Sequence, residues 1–268
     1  MGVPPTAYRQ LAERYGINRP GGRFFVDPSL STQFIGFNHS RPAFRGPGQI
    51  ALKKAINYAI DRPALARAFG YLAGRRTDQM LPPALGRPAG IYPLGGADPA
   101  TARKWLARAR LQPEKLVLYT ANHAPGVAVA QVLAFNLKQI GIELDVKYFD
   151  RRVLDEKVRN HRSEPFDLDY DGWAVDYADA AAYFRVLLGS GYPYLGGAGV
   201  AARVAAADRL VGEERRKAWD ELDEDLMRDN PPWAPYLHFT GRTFVSRSFG
   251  CFVAHPVYGL DLAAACKK

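Results

Sequence analysis

Several common signatures are scarce or absent in this chain. It has only two cysteines in 268 residues, Cys251 and Cys266, with neither a CxxC spacing nor a nearby histidine. That disfavours a zinc finger and thioredoxin chemistry. The five histidines, His39, His123, His161, His238 and His255, are scattered and form no HxH or HxxxH pair. No metal site is expected, and no cofactor. No apolar run approaches the roughly 20 residues that a transmembrane helix requires. The opening Met1-Gly2-Val3-Pro4-Pro5 has neither a basic nor an apolar signal segment, although a cleaved leader would leave the same start. No repeat and no low-complexity tract interrupts the chain. No GxSxG frame or comparable setting activates a serine or cysteine.

What is present is ordinary globular material, 47% hydrophobic and 24% charged, enough for one large α/β domain or two small ones. The net charge is +9, supplied more by arginine than by lysine. The short clusters Arg75-Arg76, Arg151-Arg152 and Arg215-Arg216-Lys217 read as solvated edges, and nucleic acid is not expected as a partner. The two cysteines allow either free thiols or one disulfide, and composition does not separate these.

The pattern along the chain predicts alternating strands and helices. Gln33–Asn38 reads as a strand. Ile50 begins a helix with apolar Leu52, Ala55, Ile56, Ala59 and Ile60. A restart follows, with Asp61 as N-cap and Pro63 in the first turn. Residues 72–98 read as a long Gly/Pro-rich loop, and Asp98-Pro99 caps a further helix running to Ala109. Next come a strand at 116–119, a helix at 124–140 stopped by Gly141, a strand at 142–149, a polar helix at 150–160 and a strand at 166–174. Helices at 180–188, 200–211 and 213–228 precede a tail, 233–258, with two or three β segments. The strand–helix–strand order implies a parallel crossover unit.

The densest chemistry lies in Phe166–Asp179, a half-buried strand entering an acidic, aromatic loop and then a helix. Such junctions are where open α/β folds place ligands. Trp173 beside carboxylates offers a flat wall and an anchor for a cation. The run Asp167-Leu168-Asp169-Tyr170-Asp171-Gly172 imitates a calcium loop, but its twelfth position is Ala178 where a bidentate glutamate is required. Asp179 fits a helix cap better than a ligand. A binding cleft is expected, not a catalytic centre.

Taken in order, the pieces resemble the family 5 solute-binding proteins of ABC importers, the dipeptide- and oligopeptide-binding proteins. The resemblance rests on Phe37-Asn38, on the helix Ile50–Arg62 ending Ala59-Ile60-Asp61-Arg62, on Leu81-Pro82-Pro83 and on Asp98-Pro99-Ala100-Thr101-Ala102. It continues in Leu137-Lys138-Gln139-Ile140-Gly141-Ile142, in Phe166-Asp167 with Gly172-Trp173 and Asp176-Tyr177-Ala178-Asp179, and in the helix Arg215–Leu226 before Asn230-Pro231-Pro232. Each pattern alone is weak, but seven in order over residues 33–240 are specific.

The resemblance implies an α/β fold, a lobe like those of type II periplasmic binding proteins, with a mixed sheet flanked by helices. It implies the C-terminal half of a two-lobed protein. Residues 1–32 would be the crossover from an N-terminal lobe, 33–240 the ligand-binding lobe, and 241–268 a tail returning to the other lobe. The function implied is capture of a peptide or similar small solute by hinge closure, and delivery to an ABC permease in the membrane. The protein would then work outside the cytoplasm, in the periplasm or as a cell-surface lipoprotein, and would not be an enzyme. Asp176 would receive the ligand's α-amino group, with Trp173, Tyr177, Tyr170 and Asn38 as further contacts. Some oligopeptide binders carry arginine where this chain has Tyr170, so a carboxylate contact there is not expected. An extracytoplasmic site favours a Cys251–Cys266 disulfide. Two other classes use such a lobe or loop: a transcription regulator's sensor, and an enzyme built on the acids near Asp176.

Overall fold

The computed structural model describes residues 3–189, 191–194 and 197–268. A six-stranded mixed sheet carries the fold. Its strands are β1 (Phe24–Phe37), β2 (Gly74–Arg76), β3 (Lys115–Ala121), β4 (Glu143–Phe149), β5 (Leu168–Ala174) and β6 (Trp233–Phe244), in the order β2-β6-β1-β5-β3-β4. β3 is parallel to both β4 and β5, while β1 is antiparallel to β5 and β6. The β3–β4 crossover runs through α5 (Ala124–Lys138), which Gly141 ends at φ +85°. That is the left-handed conformation that favours glycine.

One face of the sheet packs on α2 (Ile50–Ala59), α3 (Arg62–Arg67), α4 (Pro99–Leu106), α5 and α6 (Arg151–Arg159) around Ile35, Phe37, Leu118, Leu133, Leu168 and Tyr170. The other packs on α7 (Ala181–Leu187), α9 (Gly212–Asp229) and the 80–92 segment around Phe34, Phe184, Trp219 and Trp233. α8 (Gly197–Ala207) lies beside α9. In-register pairs explain the division: Ile35 opposes Tyr170 and points one way, Phe34 opposes Asp171 and points the other.

The helix starts follow their caps. Asp61 accepts from the Ala64 amide and Asp98 from the Thr101 amide, both at 2.9 Å. These bonds satisfy donors that a helix N-terminus leaves open. α4 ends at Leu106, short of Ala109, and continues as a turn.

The first strand is longer than its alternation predicts. It starts at Phe24 and passes through Pro28, where its register with β6 shifts. The expected boundary at residue 32 therefore falls inside β1. Residues 24–28 extend past the end of β5 and pair only with β6 among the described residues, as a two-stranded ribbon. α1 (Tyr8–Tyr15) packs on this ribbon through Tyr8–Phe24 and Tyr15–Phe244 ring contacts. The tail covers it too. Phe252 stacks on Phe25 at 3.8 Å, and the Leu30 amide donates to Pro256 O. Cys251 and Cys266 are joined, with Cα atoms 5.3 Å apart.

The 72–98 segment is tied down despite its glycines and prolines. Arg62, fully buried, donates to the carbonyls of Asn57, Thr77, Pro93 and Pro235. Asp223 on α9 accepts from the Met80 and Leu81 amides, and Asp78 from those of Ile91 and Tyr92.

Candidate functional site

Because β3, β4 and β5 are parallel, their carboxyl ends share one edge of the sheet. That edge collects His123 after β3, Arg151 after β4, and the 175–179 loop after β5. A cleft of about 120 Å³ opens there between α6 and the end of β5. Its walls include Arg151, Asp155, Arg159, Asp171, Trp173 and Tyr192.

Trp173 is half-buried. Its Nε1 donates to Ala182 O at 3.1 Å, and its ring meets Tyr192 edge-to-face at 5.8 Å. The indole is thus held from behind and presents one face to the cleft. Val175 is buried, with its amide bonded to Leu30 O, and fixes the loop's root. Asp176, Tyr177 and Ala178 are exposed, Tyr177 by 47%. Asp176 has no side-chain hydrogen bond or ion pair among the described residues, so its carboxylate is open to an incoming cation. Asp179 is occupied otherwise: it accepts from the Ala181 amide at the start of α7 and pairs with Arg215 at 2.9 Å. Burial alone would raise its pKa, but the Arg215 hydrogen bonds and charge hold it below the usual carboxylate range.

Two expected contacts lie elsewhere. Asn38 sits at the opposite end of β5, beyond the Phe37–Leu168 pair. It is fully buried and accounts for three backbone groups, donating to His161 O and Phe166 O and accepting from the Ser40 amide. Tyr170 is 3% exposed, in the core between sheet and helices, where burial pushes its hydroxyl pKa up. Period-2 alternation explains the Tyr170 placement, because it points away from the face that bears Asp169 and Asp171. Neither residue reaches the cleft.

Behind the cleft is a buried acid cluster. Tyr194 Oη lies 2.6 Å from Asp169 Oδ2 and 3.1 Å from Asp171 Oδ2. Asp171 Oδ1 also accepts from Arg151 at 2.8 Å and from the Gly172 amide at 2.8 Å. Arg151 bonds Asp155 as well, at 2.8 Å. A phenol carries one proton, so it cannot donate to two carboxylates. Both contacts are satisfied only when one carboxyl is protonated. Burial first, and then the Asp171 charge, raise the pKa of Asp169. Burial also raises Asp171, against the pull of Arg151. The proton therefore rests with Asp169. Its Oδ1 is buried and has no partner among the described residues. Gly36, opposite Asp169 in register, makes room for the cluster: a Cβ there would lie 2.3 Å from Tyr194 Cε1 and 2.4 Å from Asp169 Oδ1.

The acids of the calcium-like run are thereby assigned. Asp169 and Asp171 face Tyr194, while Asp167 accepts from the Val117 amide and faces Arg41. Sequence reasoning missed His123, Arg151, Tyr192 and Tyr194. His123 caps α5 through Nδ1 and packs edge-on against Tyr170. Burial, and then the Arg151 charge, lower its pKa, so it is neutral. The one available signal was Asp169 and Asp171 sharing a strand face, which asks for a cationic or proton-sharing partner.

Several known proteins resemble this chain. The model of the bacterial extracellular solute-binding proteins, family 5 (middle), matches residues 1–194. The glutathione-binding protein GsiB of Escherichia coli is 28% identical over 160 residues, which is 58% of this chain and 30% of that protein. Among solved structures, a dipeptide-binding protein from Pseudoalteromonas in complex with Met-Leu superposes with a TM-score of 0.78 at 20% identity. The match covers 98% of this chain and 52% of that one. The murein tripeptide-binding protein MppA of Escherichia coli gives 0.77 at 16% identity, over 99% and 53%. The chain thus spans about half the length of these structures and 30% of the curated relative.

Proposed function

From the premise that the chain belongs to the bacterial extracellular solute-binding proteins of family 5, we propose that it is the C-terminal lobe of an ABC-importer binding protein. It captures a peptide or similar small solute and hands it to a membrane permease. The observation that carries this is the carboxyl edge of β3–β5. There the unpaired Asp176 and the exposed Tyr177 stand beside a cleft walled by the braced Trp173 and by Tyr192. Such a surface binds and orients. A cationic ligand group meets Asp176, and an apolar side chain lies on the indole. The reading involves binding alone, without bond-making.

The β1–β6 ribbon supports hinge closure. It leaves the sheet at the site edge, with a register shift between Pro28 and Thr32. Residues 1–32 and 241–268 would then lead to and from a second lobe that supplies the opposite wall, and closure would enclose the solute. Family relatives act outside the cytoplasm, and this protein would work there with its permease. No helix among the described residues is long and apolar enough to cross a membrane.

Calorimetry on the full-length protein with a peptide panel tests the reading. Asp176→Ala should weaken a peptide with a free amino terminus by about 1.5–3 kcal/mol, the worth of a charge-assisted contact. An amino-acetylated peptide should bind both proteins equally weakly. Unchanged affinity in Asp176→Ala would remove this residue from the site.

A further inference from the structure

A second concavity lies at the other edge of the sheet, away from the solute cleft. It is an open groove of about 800 Å³ between α1 and the segment that links α3 to β2. Four arginines line it: Arg9 on α1, Arg67 at the end of α3, and Arg75 and Arg76 on β2. All four are exposed. Among the described residues, no aspartate or glutamate lines the groove. Elsewhere arginines meet carboxylates, as Arg87, Arg151, Arg185 and Arg215 do. Among the described residues, none of the four groove arginines pairs with a carboxylate, and Arg9 lies over the Tyr71 ring at 4.6 Å.

The groove also borders a free strand edge. β2 is the outermost strand of the sheet and, among the described residues, pairs only with β6. The Thr240 amide donates to Ala73 O, and the Thr77 amide to Tyr236 O. In an antiparallel pair, alternate residues turn their amide and carbonyl to the partner. Residues 73, 75 and 77 therefore face β6, and Gly74 and Arg76 turn theirs outward. An open edge invites a further strand, and charge on it decides which strands are admitted. Two adjacent arginines repel a second copy of this edge and any basic segment. They attract an acidic one.

We propose that this groove docks an extended acidic segment of a partner protein. The segment adds as a strand to the free edge of β2, and its alternating carboxylates meet Arg67 and Arg76 on one face of the sheet and Arg75 on the other, with Arg9 across the groove. Main-chain bonds supply affinity in such β-addition, and side chains supply specificity. The site is independent of the solute cleft, so it stands or falls separately from the proposed transport role.

The test titrates a fluorescent oligoglutamate peptide into the chain at low salt. Amide exchange of Gly74 and Arg76 is followed in the same samples. The triple variant Arg67→Ser, Arg75→Ser, Arg76→Ser should bind the peptide about tenfold more weakly, as expected from losing several charge-assisted contacts. A control triple, Arg152→Ser, Arg209→Ser, Arg247→Ser, removes the same charge from exposed positions elsewhere. It should change binding less than about twofold, the weak effect of diffuse surface charge. The wild-type Gly74 and Arg76 amides should slow their exchange when peptide is bound. Equal losses in the two triples would overturn the proposal, as would unprotected Gly74 and Arg76 amides. Binding to phosphatidylglycerol vesicles with none to the peptide would overturn it too, and would point to a lipid surface instead.

Discussion

Arg62 and Asp223, which hold the 77–93 segment, and Asp169 and Asp171, in the middle of β5, are all buried, but their polar atoms are satisfied by different means. Arg62 spends its donors on four backbone carbonyls and Asn57 Oδ1. Asp223 meets two backbone amides. Backbone partners cannot rotate away or change protonation, so this region is pinned. The β5 acids depend mainly on side chains, a phenol and a guanidinium, and Asp171 adds the Gly172 amide. One oxygen is left over, and the balance of the cluster turns on a proton. The same cost of burying charge fixes a loop in one place, and in the other leaves a group able to respond to pH beside the solute cleft.

The pinned region should fail hardest when its charge is removed. Arg62→Ala strands four carbonyls at once, three of them in buried bonds, and each unsatisfied buried group costs about 1–3 kcal/mol with partial relief from relaxation. We expect a loss of about 4 kcal/mol in urea unfolding, with the 77–93 amides losing exchange protection first. A loss under about 1 kcal/mol would show that water replaces the guanidinium, and that the two regions are less different than the contacts suggest.

The side-chain cluster should lose less. Asp171→Asn keeps the shape but removes the anion between Arg151 and Tyr194. A hydrogen bond to a charged group is worth about 1.5–3 kcal/mol, and Arg151 retains Asp155 as a partner. A cost of about 2 kcal/mol is expected, with solute affinity reduced because Arg151 loses its fixed position on the cleft wall. A cost as large as that of Arg62→Ala would erase the contrast.

Local signals explain which parts of the molecule could be read in advance. The restart at Asp61, the Asp98 cap, the Gly141 stop and the β3–α5–β4 unit are encoded by neighbours within a few residues. So is the exposed loop around Asp176, set by a buried Val175 between two polar stretches. The misses have distant causes. Pro28 hides the first half of β1, because proline is rare inside a paired strand and is tolerated here only at a register shift. Residues 72–98 look loose because their ordering groups, Arg62 and Asp223, come from α3 and α9. Asp169 and Asp171 were visible as acids on one face, but their partners come from position 194 and from the first residue of α6. Asn38 and Tyr170 look like site residues in a motif, and only the register shows one at the far end of β5 and the other facing the core.

Asp169→Asn should have the smallest effect in acid, and the most specific signature as pH rises. With its pKa pushed up to about 8, mainly by burial and then by the Asp171 charge, Asp169 is largely neutral at pH 7. Asparagine mimics that neutral form, since its amide can donate to Tyr194 Oη where the carboxyl proton did. Below pH 3.8, where the carboxyl is protonated folded and unfolded, stability should change by less than about 1 kcal/mol, well below the cost of leaving a buried donor unpaired. The pH dependence should change more. A carboxyl whose folded pKa lies above its ordinary 3.8 binds more protons folded than unfolded between those two values. Its contribution is fully present below pH 3.8 and is lost as pH rises through about 8. Asp223, also raised, acts in the same direction, while His39 and His238, both lowered to about 3 by burial, act in the opposite one on the acid side. All three remain in the variant, so they cancel in the difference between the two proteins. Wild-type stability relative to Asp169→Asn should therefore fall from pH 5 to pH 8, with a slope of at most about 1.4 kcal/mol per pH unit for one proton. Parallel profiles for the two proteins would mean that Asp169 is ionised throughout. The shared proton would then belong to Asp171, and the difference between the pinned loop and the pH-responsive strand would have to be redrawn around that residue.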